Sequence, residues 1–572
     1  MIKSYITALI VIITGLAFLF SLLGTGASGS LDKNLDYGKF LADISRISEE
    51  THFIGSPGHA RLQGWLQETI IEIGKDSPQF ELRVDEFGGL RLLDLIAKTG
   101  REILDGEIVD ENSWAFPPLK NFIVTARGAN PSKKALMIVS HYDGAGGRPG
   151  ESGAIYPAAT DAGIYVAAML EVMRYAANNP VENDVIFLFT DGEEAGLLGA
   201  QRFMERLENP AEKIGLVANF DAAGTSGTLV MFETGAYAAG TVRSFAKIAG
   251  RVYSNSITTW LYERMSNGTD MTVFKKYGLA GLNFACVGHG QHYHTPDDNM
   301  ENLNEALAKQ TLNTALSMYT FYGNYDFEKI AVEQDLVYFN LYHFGLIILP
   351  VWAVYTLVGL MAAGIIAIIA MKHKDFSWEF FKRNSFRHLK AACVTLFSVA
   401  AAIIVTYLIS WILDAITGIW LAKKYSAFGI VFGTMLIAMV LFTFTQFFLC
   451  RHYKVTKQDA FVFAAIWQFL LTAALLFALP ASSFIFLLPA VLNVAALVLE
   501  NTVKNKTALT IIKDLHLPVL SAAFAFTTVV TLSILAAYAF GTLIAPFAAV
   551  LPLFALCAFP TLLNRFLLKP ER

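Results

Sequence analysis

The sequence predicts an α/β domain, a mixed, largely parallel sheet covered by helices, joined to an all-α transmembrane domain of several spans. Three observations carry this. Between Leu31 and Asp335, short apolar runs alternate with stretches of helical period, the pattern of β–α–β units. Beyond Asp335 the chain is a series of apolar runs free of Asp, Glu, Lys and Arg, each near the roughly 20 residues that cross a bilayer. Over all 572 residues only 16% are charged and 54% are hydrophobic, whereas soluble chains are about 25% charged.

The first element is an apolar run from Tyr5 to Leu23, preceded by Lys3 and followed by GTGASGS. It is longer than the core of a signal peptide and meets a poor cleavage site. Residues 1–30 are therefore expected to be an uncleaved anchor. In the polar domain, residues 31–335, helical periodicity covers Tyr37 to Ile47 and Ala60 to Ile73, with the loop HFIGSPGHA between them. Buried strands are expected at Ala135–Ser140, Val185–Phe189, Ile214–Phe220 and Ala280–Val287. Helices are expected at Ala162–Asn178, Ala195–Leu207 and Gly240–Val252. The Gly-rich stretch Tyr142–Thr160 has no apolar period and reads as a mobile surface loop.

Residues 336–572 are expected to form about seven spans: Phe344–Met371, Ala391–Leu413, Tyr425–Cys450, Phe461–Ser482, Ser483–Leu499, and two passes within Leu517–Asn564. Charge placement orients them. One set of alternate connections, with Lys3, holds sixteen Lys and Arg, and the opposite set only Lys423 and Lys424. By the positive-inside rule the first set is cytoplasmic. The polar domain then faces the periplasm of a bacterial inner membrane or, alternatively, the lumen of the ER or vacuole. The Asn267-Gly268-Thr269 sequon favours the bacterial setting, because a glycan there would crowd the Thr269-Asp270 segment. A net charge of −4 offers no electrostatic case for nucleic acid. Of four cysteines only Cys286 lies outside the apolar runs, so no internal disulfide staples the polar domain.

Each expected strand of the polar domain leads to a potential metal ligand. His141 and Asp143 follow the first as H-x-D, and Asp161 opens the next helix. Glu193 and Glu194 follow the second strand through Asp191-Gly192, and Asp221 follows the third. Past the last comes GHGQHYHTPDD with His289, His292 and His294. Imidazoles and carboxylates in this mixture suit zinc or a similar divalent ion. Singly, each has a bland reading: Asp161 as an N-cap, Glu193-Glu194 as complements of a helix dipole, His141 as a bonded core histidine, Asp221 as a turn residue. Two adjacent carboxylates repel unless a cation or a proton lies between them, and all these positions fall at strand ends of one domain.

The ordered set H-x-D, Asp, Glu-Glu-x-G-x-x-G, Asp and Tyr-His-Thr resembles the di-zinc aminopeptidase family, which includes secreted bacterial leucyl-type aminopeptidases and glutamate carboxypeptidases. The match runs from about His52 to Leu303 and takes in Gly55–Gly58 and Thr269-Asp270-x-x-x-Phe274. The anchor-plus-bundle layout resembles the subgroup containing the endoplasmic reticulum metallopeptidase and the fungal vacuolar membrane protease. The resemblance implies a zinc exopeptidase-like fold and two zinc ions. His141 and Asp221 would hold one ion, Glu194 and His294 the other, and Asp161 would bridge them. It further implies that Glu193 is the general base, that Asp143 orients His141 and that Tyr293 is an oxyanion donor. His289 and His292 are surplus to the motif, and Asp191 reads as turn chemistry. One departure is Ala162-Gly163 after Asp161, where the family commonly has Asp or Asn.

The leading expectation is therefore a membrane-bound zinc metallopeptidase of the aminopeptidase type, acting on peptides on the non-cytoplasmic side, with the lipid bilayer as its other partner. Two other readings remain: a glutaminyl-cyclase-like enzyme with one zinc, and a receptor or transporter whose outer domain only binds. Transport paths usually place ionisable groups within the spans. These spans carry only polar residues such as Gln446, Gln468 and Asn493. Side-chain preference and oligomeric state are not legible in the sequence.

Overall fold

The computed structural model describes residues 31–87, 118–130, 134–146, 155–341 apart from 223, 251 and 266, 345–372, scattered positions between 386 and 455, and 457–503. The expected anchor at Tyr5–Leu23 and most of the expected spans lie outside the described residues. Among the described residues two compact units divide the chain, one from Leu31 to Asp335 with Asn340–Ile347, the other from Ile348 with Leu336–Phe339.

The first unit is built on an eight-stranded mixed sheet. Its strands are β1 Phe80–Phe87, β2 Leu119–Ala126, β3 Ala135–His141, β4 Val185–Thr190, β5 Ile214–Ala222, β6 Ser226–Thr234, β7 Tyr253–Ser254 and β8 Gly281–Gly288. The spatial order is β1-β2-β4-β3-β5-β8-β6-β7. The four strands expected from sequence are its parallel centre, β4-β3-β5-β8. Antiparallel pairing enters through β1, β2 and β6. β3 is buried at all seven positions, as a central parallel strand covered on both faces should be.

Helices cover both faces. On one face Met137, Val139, Leu188 and Val217 pack with Ala200, Phe203, Met271 and Phe274 from the Leu198–Arg206 and Asp270–Lys276 helices. On the other lies the Ile164–Asn178 helix, buried without a break from Ile164 to Met173. It packs between the Tyr37–Ile47 and Glu305–Tyr322 helices, which explains why its sequence is apolar nearly all round.

Three local expectations are corrected. HFIGSPGHA is not wholly a loop: Ser56 caps a helix from Pro57 to Gly74, its side chain accepting the His59 N–H. Pro57 suits the first helical position, where no N–H is needed. Gly58 is required because a Cβ there would lie 2.2 Å from the Thr51 carbonyl oxygen. The helix expected over Gly240–Val252 is Ala238–Phe245. The Gly-rich stretch is not a surface loop at its ends, since Tyr142, Asp143 and Tyr156 are buried. They are drawn in by hydrogen bonds from the Gly144 N–H to the His52 carbonyl and from the Tyr156 N–H to Thr51 Oγ1. Residues 147–154 lie outside the described residues.

In the second unit, helices at Val351–Lys372, Lys457–Ala478 and Phe484–Thr502 are described. The last two are joined by a short turn at Pro480–Ser482 and share a side-chain hydrogen bond, Asn493 Nδ2 to Gln468 Oε1, at 2.7 Å. Among the described residues, Val351–Met371 and Phe484–Thr502 are long and apolar enough to cross a membrane. The expected run Phe344–Met371 is a strand at Gly345–Pro350 before it becomes helix.

Candidate metal centre

The carboxyl ends of the four parallel strands lie side by side, where open α/β sheets place their ligands. His141 ends β3 opposite Thr190 of β4, and Asp221 sits in β5 opposite Ala285 of β8. Gly192, with φ at +72°, turns the chain after β4 so that Glu193 and Glu194 face this edge. Past β8, a short turn at Gly290–His292 leads to Tyr293 and His294. Asp161 comes from a non-helical kink before the Ile164–Asn178 helix, with a cis Asp161–Ala162 peptide; it is not an N-cap.

These side chains converge in two groups that share Asp161. In each, ligand atoms lie within 4.8 Å of one another: His141, Asp161 and Asp221 in the first, Asp161, Glu194 and His294 in the second. His141 Nε2 is 3.4 Å from Asp161 Oδ1 and 3.7 Å from Asp221 Oδ1. His294 Nε2 is 3.1 Å from Asp161 Oδ2 and 2.8 Å from Glu194 Oε1. His141 Nε2, Asp161 Oδ2, Glu194 Oε1 and His294 Nε2 are buried with no hydrogen-bond partner. Buried polar atoms are rarely left so. Imidazole and carboxylate atoms turned toward one another fit divalent cations.

The electrostatics agree. Burial and the charge of Asp161 lift the Glu194 carboxyl to about 7. Burial and the charge of Asp221 hold Glu193 well above the usual carboxylate range. Burial disfavours charge on His294, but the adjacent Asp161 and Glu194 carboxylates outweigh it and push it up to about 10. Asp161 would rise with burial, yet His141 and His294 pull it far below its ordinary value. Six acidic and basic groups so crowded point to a site that expects positive charge.

A second ring of polar groups holds the first. Asp143 Oδ1 and Oδ2 accept the Glu193 and Glu194 N–H at 3.0 and 3.1 Å. The Asp143 carbonyl lies 2.9 Å from His141 Nδ1. Asp270, from the Thr269–Phe274 segment, accepts the Thr190 hydroxyl; burial pushes its carboxyl up to about 7. Asp298 accepts the N–H and the hydroxyl of Thr160 and the Asp161 N–H. Tyr293 stacks on His294 with ring centroids 3.7 Å apart. It is 39% exposed, while burial and then the charges of Asp161 and Glu194 raise its hydroxyl.

Asp191 is more than turn chemistry. It is fully buried and accepts from His59 Nε2 at 2.8 Å, Gln63 Nε2 at 2.9 Å, the Lys120 N–H at 2.8 Å and the Tyr142 hydroxyl at 2.6 Å. One carboxylate thus ties the Pro57–Gly74 helix, β2 and the end of β3 beneath the Glu193-Glu194 turn. Sequence reasoning passed over this hub and over Asp298. Asp298 lay within the quoted GHGQHYHTPDD, where only the histidines were weighed. His289 and His292 lie 5.3 Å apart by ring centroid, outside both groups, and His292 Nδ1 meets Thr225 Oγ1 at 2.8 Å.

The model of peptidase family M28 matches residues 121–319. The vacuolar membrane protease of Candida dubliniensis is 28% identical over 302 residues, covering 52% of this chain and 29% of that protein. The chain thus spans about three tenths of the length of this curated relative. Among solved structures, an aminopeptidase from Aneurinibacillus sp. strain AM-1 has a TM-score of 0.38 and 15% identity, covering 52% of this chain and 96% of that one. A glutaminyl cyclase from Fimbriiglobus ruber has a TM-score of 0.38 and 16% identity, covering 50% and 94%. The stretch that matches the peptidase family M28 model, residues 121–319, is the one that holds His141, Asp161, Glu194, Asp221 and His294.

Proposed function

We propose that the protein is a membrane-bound two-zinc exopeptidase of the aminopeptidase type, hydrolysing amino-terminal residues of peptides on the non-cytoplasmic side of its membrane. The observation that carries this is the sharing of Asp161 by two three-ligand groups, an arrangement suited to a bridged pair of ions. His141 and Asp221 would hold one ion, Glu194 and His294 the other. When bound, the pair supplies an acidified water and a Lewis-acidic seat for the scissile carbonyl.

The chain's own groups do the rest. Glu193 is held by its backbone N–H on Asp143 and belongs to neither ligand group. It accepts the proton of the attacking water and delivers it to the leaving amine. With metal held by these ligands, Glu193 would be ionised, as a base must be. The Tyr293 hydroxyl donates to the oxyanion. Asp143 fixes the His141 ring by its carbonyl, so that Nε2 is the atom presented. Membrane attachment is supported by the two long apolar helices and by the relative's name; the Lys and Arg asymmetry supports the non-cytoplasmic side.

Metal analysis of the purified full chain, together with a panel of free-amino and N-blocked peptide substrates, tests this. Near two zinc ions per chain and cleavage of free-amino substrates alone are expected. One ion per chain, or equal cleavage of blocked peptides, would refute it.

A further inference from the structure

His141 and Asp221 are aimed by the register of the sheet. Asp161, the ligand common to both groups, has no such support. It lies where the backbone leaves helical geometry, with φ −113° and ψ 78°, after Ala158 in the left-handed region at φ 49°. A carboxylate serving two ions needs its direction fixed to a fraction of an ångström, and a kinked segment alone does not fix it.

The brace comes from Asp298, which is 2% exposed. Its Oδ1 accepts the Thr160 N–H at 2.8 Å and the Thr160 hydroxyl at 2.6 Å, and its Oδ2 accepts the Asp161 N–H at 3.1 Å. Its carbonyl accepts the Ala159 N–H at 3.1 Å. Three consecutive residues ending in Asp161 are thus held by one residue. Asp298 is itself set by the turn that carries His294, its N–H donating to the Thr295 carbonyl at 3.1 Å. The loop that supplies a ligand to one ion therefore also steers the ligand shared by both.

We propose that Asp298 is the positioning residue of the shared carboxylate, orienting Asp161 so that the two metal positions form together. This rests on the two-metal reading above. A carboxylate is needed because every group facing its side chain is a donor. The amide of Asp298→Asn turns an NH2 against one of them, leaving the shape of the residue intact while rotating the Thr160–Asp161 peptide.

The test is zinc titration of metal-free full-length protein in detergent, in competition with a chromogenic chelator. It is run on the parental chain, Asp298→Asn, Thr160→Ala and Glu194→Gln, with thermal unfolding of each metal-free form. Asp298→Asn is expected to weaken both zinc positions together, by about tenfold to a hundredfold each, with the unfolding temperature of the metal-free form unchanged. Thr160→Ala, which removes one of the three bonds, should weaken both by less, and Glu194→Gln should weaken one position only. At saturating zinc the Asp298→Asn protein should lose kcat with KM kept within about twofold. Parental affinity at either position in Asp298→Asn would overturn the proposal, as would a loss matched by an equal fall in metal-free stability. A parental chain that takes up only one zinc would instead refute the two-metal reading itself. Should Asp298→Asn not fold, Thr160→Ala carries the same comparison.

Discussion

The carboxylate of Asp143 accepts the backbone N–H of Glu194 at 3.1 Å, tying the end of β3 to the turn after β4. The other oxygen holds the Glu193 N–H at 3.0 Å, so one side chain sets the height of both glutamates over the sheet edge. Asp143→Asn faces one of those N–H groups with an NH2. Metal content after dialysis against dilute chelator is expected to fall, with an affinity loss of about tenfold to a hundredfold. Full zinc retention in that variant would show that the Glu-Glu turn holds itself.

Glu193 and Tyr293 are separable from the ligand set. Glu193→Gln should keep its zinc and lose about two to four powers of ten in kcat, the usual scale for a positioned base. Tyr293→Phe removes one donor to the oxyanion and should cost roughly 2.7–4 kcal/mol of barrier, read as lower kcat with little change in KM. Steady-state kinetics beside metal analysis checks both. Parental turnover in Glu193→Gln would move the base elsewhere.

Asp191 and His59 form a fully buried pair at 2.8 Å. Burial alone would lower His59, but the hydrogen bond and charge of Asp191 outweigh it, and the imidazole is raised above its ordinary value. A histidine whose folded value is raised adds stability that is complete below its unfolded value of about 6.5 and fades as pH rises through the folded value. His59→Gln is therefore expected to unfold at lower temperature, with the gap widest below about pH 6.5 and narrowing at higher pH. Removing one member of a buried pair costs about 3 kcal/mol, the low end applying because Gln63, Tyr142 and the Lys120 N–H still face Asp191. A gap that widened with pH would contradict this sign.

In the helical unit, Asn493 donates to Gln468 across two helices at 2.7 Å. Hydrogen bonds between membrane helices are worth about 0.6 kcal/mol on average in double-mutant cycles. A cycle of Gln468→Leu and Asn493→Leu, read by unfolding in detergent, should return a coupling of that order. Strictly additive effects would mean that the pair contributes nothing.

Most of the central sheet was legible because each of its strands is a short apolar run closed by a turn signal, and buried parallel strands need no more than that. β1 and β2 were missed: FELRVDEF alternates polar and apolar residues at the sheet edge, and Lys120, Asn121 and Thr125 interrupt the apolar run of LKNFIVTA. The first turn of the Pro57–Gly74 helix was missed because Gly and Pro read as breakers, whereas here both occupy that turn. The five candidate ligands were legible by type and order. Their orienting groups were not, apart from Asp143, since Asp191 and Asp298 look like ordinary turn residues along the chain.

By itself the sequence determined which residue types the metal centre has to work with, and that they stand at strand ends of one α/β domain. It did so because strand, turn and ligand are neighbours in the chain. Only the tertiary structure decided that Asp298 braces Asp161, that the Asp143 carboxylate holds the Glu193-Glu194 turn, and that Asp191 is a buried hub joined to His59. Those relations span from 50 to nearly 140 positions. They arise from the order in which the strands take their places in the sheet, which no local period records.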